Sequence, residues 1–468
     1  MGKCSEGKTP KFQHSTIPII VTMEATARRE SYAAKLFAFG TKVAEKYDWL
    51  IVVLVLGGFF GHLFTVQPVL LALKQHAVPP IDEFMNANIG QFPWGMLLVD
   101  LVGAGAVFGV FSLSPAFLIW LERKVSGRIQ SRPGPLHTGG WHGWLQTIAD
   151  GIKLISKEDI VPEGADHILH TIGPILVVIA AAAGFVVIPF GFLIPGDFNI
   201  GIIYLLAVTS VGVFGIVIAG WASNNKYSLL GGMRSAAQLV SYEIPRGVAL
   251  IGVIMLAGSV QMSEITNLQS GVAFDANGEM IASAAIPFVI YQPIAFVLFL
   301  IASIAESNRV PFDLPEAESE LVAGFHTEYS GMKFGLFFVA EYANVVLFCC
   351  IAVALFLGGG SIPLLDGYLQ YYSSQVFSGD YEFMAGFWHL PVFVMKTFVL
   401  VFFFLWVRWT YPRMRVDRLM DFSWKILLPW AFANLIFLGL AMVLDGGLMI
   451  FTIVNWSIVI YVLVKAKP

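Results

Sequence analysis

Charge is scarce in this chain. Asp, Glu, Lys and Arg make up 13% of its 468 residues, hydrophobic residues 57%, and the mean hydropathy is +0.74. Those values exclude a soluble globular class. Cysteine is scarcer still, with three in all: Cys4 lies in the N-terminal tail, and Cys349 and Cys350 are neighbours inside an apolar run. No CxxC or Cys/His spacing for zinc or an iron-sulfur cluster exists, so the three read as small packing residues. No GxGxxG or P-loop opens a helix, which argues against a nucleotide site. Any redox cofactor therefore belongs to a partner. Internal repeats are absent, as is a matched pair of interrupted helices, and a self-contained secondary transporter is disfavoured. The first 47 residues are polar and mixed in charge, with no apolar stretch early enough for a cleaved signal peptide.

What the chain does have is long apolar runs. Crossing the roughly 30 Å hydrocarbon core takes about 20 apolar residues in a helix, because every backbone group must be satisfied internally. Ten stretches qualify, near 48–73, 96–120, 170–195, 202–222, 245–262, 284–305, 334–358, 392–411, 427–444 and 447–464. The expected fold class is an all-α polytopic membrane protein of about ten transmembrane helices, with amphipathic interfacial helices beside them. Of the 28 Lys and Arg, all but Lys74 and Lys396 fall in the two tails and in alternate loops, and 196–201, 263–283 and 359–391 carry none. The positive-inside rule then puts both termini on the cytoplasmic side.

Two polar-apolar stretches have helical period. Tyr32, Leu36, Phe39, Val43 and Tyr47 share a face that suits either the membrane interface or a neighbouring protein. Trp141, Trp144, Leu145, Ile148, Ile152 and Ile155 share another, opposite Gln146, Asp150, Lys153 and Lys157. Tryptophan there favours the headgroup level. Before it, LERKVSGRIQSRPGP places Glu122, Arg123, Lys124, Arg128 and Arg132 at a membrane edge ahead of a Pro133-Gly134-Pro135 turn. The cations fit a positive-inside anchor, whereas Glu122 at the end of a span calls for pairing with Arg123 or another neighbour. His137, His142, His167 and His170 crowd the same loop, but their spacing fits no standard ligand set.

The densest charge lies between Ile304 and Tyr342. Glu306, Asp313, Glu316, Glu318, Glu320, Glu328 and Glu341 stand there against Arg309 and Lys333. Glu316 and Glu320 are one helical turn apart with Asp313 a turn earlier, so repulsion and partial burial both favour protonation. Moving one charge against 100 mV takes about 2.3 kcal/mol, within reach of such a cluster. A hydrated loop that binds basic partners is the simpler alternative, above all for Glu318. Glu243, Glu341 and Lys396 lie near or inside apolar helices, where ionisable residues mark ion or proton paths by default. Pairings of Glu243 with Arg246 or Arg234, and of Glu341 with Lys396, are the structural alternative. Tyr227, Tyr242, Tyr329 and Tyr342 read as interfacial.

Five segments together carry a family resemblance: ERKVSGRIQSRPGP, WLQTIADGIKLISKED, GWASNNKYSLLGGMRSAAQLVSYE, AESNRVPFDLPEAESELVAGFHTEYSGMKFGLFFVAEY and WTYPRMRVDRLMDFSWKILLP. In this order the chain resembles the quinone-site membrane subunit, the H subunit, of the proton-pumping NADH:quinone oxidoreductase, respiratory complex I. The resemblance implies an eight-helix core, where a peripheral redox arm docks and a quinone tunnel opens. It implies a tunnel mouth of Glu122, Arg123, Arg132, Asp150, Arg234 and Arg309. It assigns proton coupling to Glu243, Glu306, Asp313, Glu316, Glu318, Glu320, Glu328, Glu341 and Lys396, and places Arg408 where the family carries a cation. No catalysis by the isolated chain and no metal are expected. Quinone is the implied substrate, and FMN and iron-sulfur clusters sit in partner subunits. The implied partners are that redox arm and antiporter-like membrane subunits, in a bacterial inner membrane. The expected organisation is a tail with an amphipathic helix (1–47), an extra helix and loop (48–95), the core (96–445) and an extra C-terminal helix (446–468). Leu136 and His137 depart from the family's Asn and Arg after the turn. A hydrogenase-linked or other energy-converting complex, and a stand-alone ion transporter, are the alternatives.

Overall fold

The computed structural model describes residues 93–190, 197–270, 272–274, 280–282, 286–313, 322–362, 381–444 and 446–465. The amphipathic stretch at 32–47, the span at 48–73, and Glu316, Glu318 and Glu320 lie outside the described residues. What is described is helical apart from a pair of three-residue antiparallel strands, β1 (Val272–Phe274) and β2 (Met280–Ala282), with Ala273 opposite Ile281.

Helix α1 (Pro93–Ile129) has 37 residues. At 1.5 Å per residue it rises about 55 Å, so it outruns the hydrocarbon core. A turn folds back on its last residues: a Cβ at Gly127 would stand 2.9 Å from the Arg132 carbonyl. The short α2 (Gln146–Ser156) buries none of its side chains and leaves Ile148, Ile152 and Ile155 exposed, as an interfacial helix must. Then α3 (His167–Gly184) starts at Asp166, whose carboxylate accepts from the amides of Ile168 and Leu169 at 3.0 and 3.2 Å. Helices α3 and α4 (Gly201–Ala222) lie side by side.

Helix α5 (Lys226–Ala257) departs most from the hydropathy reading. A span was expected from 245, yet the helix begins nineteen residues earlier, capped by Asn225 and closed by Gly258 at φ 69°. Its first half carries Arg234, Gln238, Ser241 and Glu243, which lower the hydropathy while Gln238 and Ser241 are buried between helices. The span expected at 284–305 is broken into α7 (Phe288–Tyr291) and α8 (Pro293–Glu306), following the nine-residue α6 (Met262–Ser270). Pro293 lacks an N–H, and the Gln292 side-chain amide donates to the Gly252 carbonyl at 3.0 Å beside it.

Helix α9 (Gly331–Phe356) is the buried one. From Leu347 to Phe356 every residue is buried, with α1, α2, α3, α8 and α10 (Tyr381–Thr410) packed around it. Next α11 (Val416–Phe422) runs through a π turn at Ser423–Leu427 into α12 (Leu428–Val443), which packs on α5. Finally α13 (Gly447–Lys465) packs on α12, α8 and α7. Among the described residues six segments are long and apolar enough to cross a membrane, with shorter apolar helices besides. The protein is a multi-pass helical membrane protein.

Candidate functional site

Two buried charge centres and one cavity organise the polar residues singled out above. The first centre is Glu122, 6% exposed near the end of α1. Arg408 at the end of α10 is paired with its Oε1, and Arg309 from the segment after α8 stands 3.8 Å from Oε2. The Arg309 guanidinium also lies over the Tyr342 ring, 3.9 Å from its centroid. Arg123 does not take this role. It points to Asp150 on α2 at 2.5 Å, and Lys153 approaches the same carboxylate at 3.6 Å. Arg132 donates to the Gln130 side chain at 2.8 Å, and Arg234 is half-buried on α5. Of the expected tunnel-mouth residues, Glu122 and Arg309 thus meet in this centre, Arg123 and Asp150 form the α1–α2 contact, and Arg132 and Arg234 join neither. Below that contact Trp120 donates to the His142 carbonyl at 3.3 Å. Burial, with Lys124 and Arg128 nearby, lowers the His142 imidazole below its usual pKa.

The second centre is Arg246, 1% exposed on α5. It pairs with Glu306 at the end of α8, donates to Thr209 on α4 at 3.0 Å, and faces the Phe348 ring at 5.0 Å. Glu243 accepts from Ser210 on α4. Between α3, α4, α5, α8 and α9 lies a cavity of about 40 Å³, lined by Thr209, Glu306, Asn308, Glu341, Asn344 and Phe348 among others. That is room for roughly three waters. Glu306 and Glu341 therefore face one polar void inside apolar helices.

Around the cavity the backbone is held by side chains. The Gln238 amide donates to the carbonyls of Ala305 at 2.7 Å and Phe312 at 2.6 Å, clasping both ends of the turn that carries Arg309. Asp313 pairs with Arg413 at 2.9 Å, and Glu328 accepts from Asn225 at 2.5 Å. His326 Nε2 is 3.7 Å from Glu341. Lys396 reaches the carbonyls of Leu357, Gly359 and Ser361 at 2.6, 2.9 and 2.6 Å, where it secures the end of α9. Tyr242 donates to the Leu419 carbonyl at 2.9 Å, and Tyr329 stacks on His170 at 4.0 Å, so these two are interior residues.

A family model described as NADH dehydrogenase matches residues 102–439. The chain is 45% identical over 378 residues to the second H subunit of the NADH-quinone oxidoreductase of Geobacter metallireducens, covering 76% of this chain and 99% of that one. The chain belongs to the H-subunit family of NADH-quinone oxidoreductase. The H subunit of Dehalococcoides mccartyi strain CBDB1 is 47% identical over 345 residues, covering 73% of this chain and 86% of that one. The one from Rhodospirillum centenum is 47% identical over 320 residues, covering 68% and 86%. In this family member Glu122, Glu243, Glu306 and Glu341 all lie inside the matched range, as do Arg246, Arg309 and Arg408. His326, Gln238 and Asn344 were not among the expected site residues. None of the three carries a spacing signal, although His326 stands two residues before Glu328 in the acidic segment.

Proposed function

We propose that this chain is the membrane subunit of an NADH:quinone oxidoreductase that forms the quinone tunnel entrance and the first acidic stretch coupling quinone reduction to proton translocation. The observation that carries this reading is the cavity between Glu306 and Glu341. Two carboxylates face one void in the interior of a membrane bundle, where ionisable groups mark ion or proton paths by default. The ring of charge at Glu122, with Arg309, Arg408, Arg123 and Asp150 near the end of α1, supports a polar tunnel mouth next to the cytoplasmic redox arm. Quinone is the substrate. FMN and iron-sulfur clusters belong to partner subunits in this reading, since adjacent cysteines such as Cys349 and Cys350 offer no cluster-binding spacing. The partners are the other subunits of the complex, the location is the bacterial inner membrane with both termini cytoplasmic, and the isolated chain has no catalysis of its own.

The test uses the assembled complex. Mass spectrometry of what co-purifies with the chain in mild detergent should recover a flavin-containing NADH-oxidising module, iron-sulfur subunits and antiporter-like subunits. A hydrogenase module in their place would move the chain to a related energy-converting assembly. In the same complex Glu306→Gln and Glu316→Gln should each lower NADH:quinone turnover and proton uptake together, while NADH oxidation by ferricyanide stays at the parental rate. Parental pumping in both variants would overturn the proton-coupling role.

A further inference from the structure

The imidazole of His326 is 3% exposed, and neither ring nitrogen has a hydrogen-bond partner. Buried polar nitrogens are normally paired, so an imidazole left unpaired on both sides needs a reason. Phenylalanine rings surround it: the centroids of Phe325, Phe337, Phe334 and Phe338 lie 3.9, 5.1, 5.7 and 5.7 Å away. These rings offer no donor or acceptor, but their faces favour a cation. The polar group that does approach is Glu341, with 3.7 Å between Oε1 and Nε2. Glu341, Phe325 and Phe337 all line the cavity, and the imidazole stands behind these three lining residues. A gap of 3.7 Å is too long for a hydrogen bond, yet a small rotation of either group closes it.

The imidazole does not drift from this place. His326 ends a single 3₁₀ turn, Gly324–His326, that rests on α5. A Cβ at Gly231 of α5 would stand 2.5 Å from the Gly324 Cα, so the two backbones touch where no side chain intervenes. The turn follows directly on the acidic segment and precedes α9, which carries Glu341.

We propose that His326 is the proton relay that serves Glu341. The inference rests on the reading that Glu341 carries coupling protons. In the forward step the Nε2–H bond of the imidazolium breaks as an O–H bond forms on Glu341, leaving a neutral imidazole and a carboxylic acid. A hydronium in the cavity water then returns a proton to the imidazole, and the reverse sequence empties Glu341. Histidine suits this task because its ordinary titration lies close to neutral pH. The phenylalanine cage leaves Glu341 as the acceptor nearest the imidazole.

The test compares His326→Asn, Glu341→Gln and the double variant in the intact complex reconstituted in proteoliposomes. Each single variant should lower quinone turnover and proton uptake on the order of 10²-fold, with ferricyanide reduction and assembly at parental levels. The double variant should lose no more than Glu341→Gln alone, because a relay has nothing to serve once its acceptor is gone. Parental rates in His326→Asn beside an impaired Glu341→Gln would sink the relay and leave the proposed function standing. Parental rates in Glu341→Gln would instead overturn the coupling role itself. An additive loss in the double variant would show His326 acting independently of Glu341, against the relay. Should His326→Asn fail to assemble, infrared difference spectra of the parental complex decide: imidazole bands must change together with the Glu341 carboxyl band, identified by its loss in Glu341→Gln, and a carboxyl change without them overturns the relay.

Discussion

Glu122 and Glu341 are both carboxylates at the edge of buried helices, and the chain treats them in opposite ways. Glu122 has an arginine at each oxygen, Arg408 and Arg309, drawn from α10 and from the turn after α8. Glu341 has an imidazole at 3.7 Å and a cavity in front of it. One carboxylate lies between two permanent cations and ties three parts of the chain together. The other faces a group that can gain or lose charge, with space for water. In the proposed reading Glu341 exchanges a proton, a task that a histidine neighbour can serve and an always-charged arginine cannot.

The contrast can be broken most severely at Arg408. Removing one partner of a buried ion pair costs about 3–5 kcal/mol, so Arg408→Ala should lower the thermal midpoint and the yield of assembled complex. The double variant Glu122→Met with Arg408→Met should recover much of that loss, because replacing both charges removes the unpaired one. Glu341→Gln sharpens the comparison from the other side: a turnover loss on the order of 10²-fold, with assembly intact in a native gel. Loss of assembly there would make the two sites alike. Gly231→Ala attacks the backing of the Glu341 site, since the added methyl meets Gly324; it should cost about 1–3 kcal/mol in a melting experiment while the Glu122 cluster stays in place. Arg123→Ala is the mildest. Its ion pair with Asp150 is partly exposed, so a change of at most about 1 kcal/mol is expected, read as melting that stays close to parental.

Much of this architecture is visible in hydropathy, and its failures have physical causes. The helices at 202–222 and 334–358 were legible because lipid-facing or fully buried helices are apolar on every side. The first half of α5 was not, since a face buried against other helices can carry Gln238, Ser241 and Glu243 where their side chains find hydrogen-bond partners. Glu122 was legible as a residue needing a partner, with Arg123 or another neighbour as the candidates. Arg408 is 286 positions away, a distance no local pattern can bridge. Lys396 and Glu341 were candidates for one another, whereas the lysine holds three carbonyls at the end of α9. His326 was hidden for the opposite reason. A lone histidine among phenylalanines gives no spacing signal, and its meaning emerges only when the fold brings Glu341 and the cavity to it.

One further contact reaches past the residues that the family model matches. The family match ends at residue 439, before α13, yet the Trp456 indole on α13 donates to the Ile290 carbonyl at 2.9 Å. That carbonyl sits where the break before Pro293 interrupts the helical ladder, and inside a bilayer it has no water to turn to. A shortened chain lacking α13 would therefore leave the break without its donor and weaken α7 and α8 as well. A helix that completes its neighbours' hydrogen bonding works as a ratchet: selection for folding alone is enough to retain it.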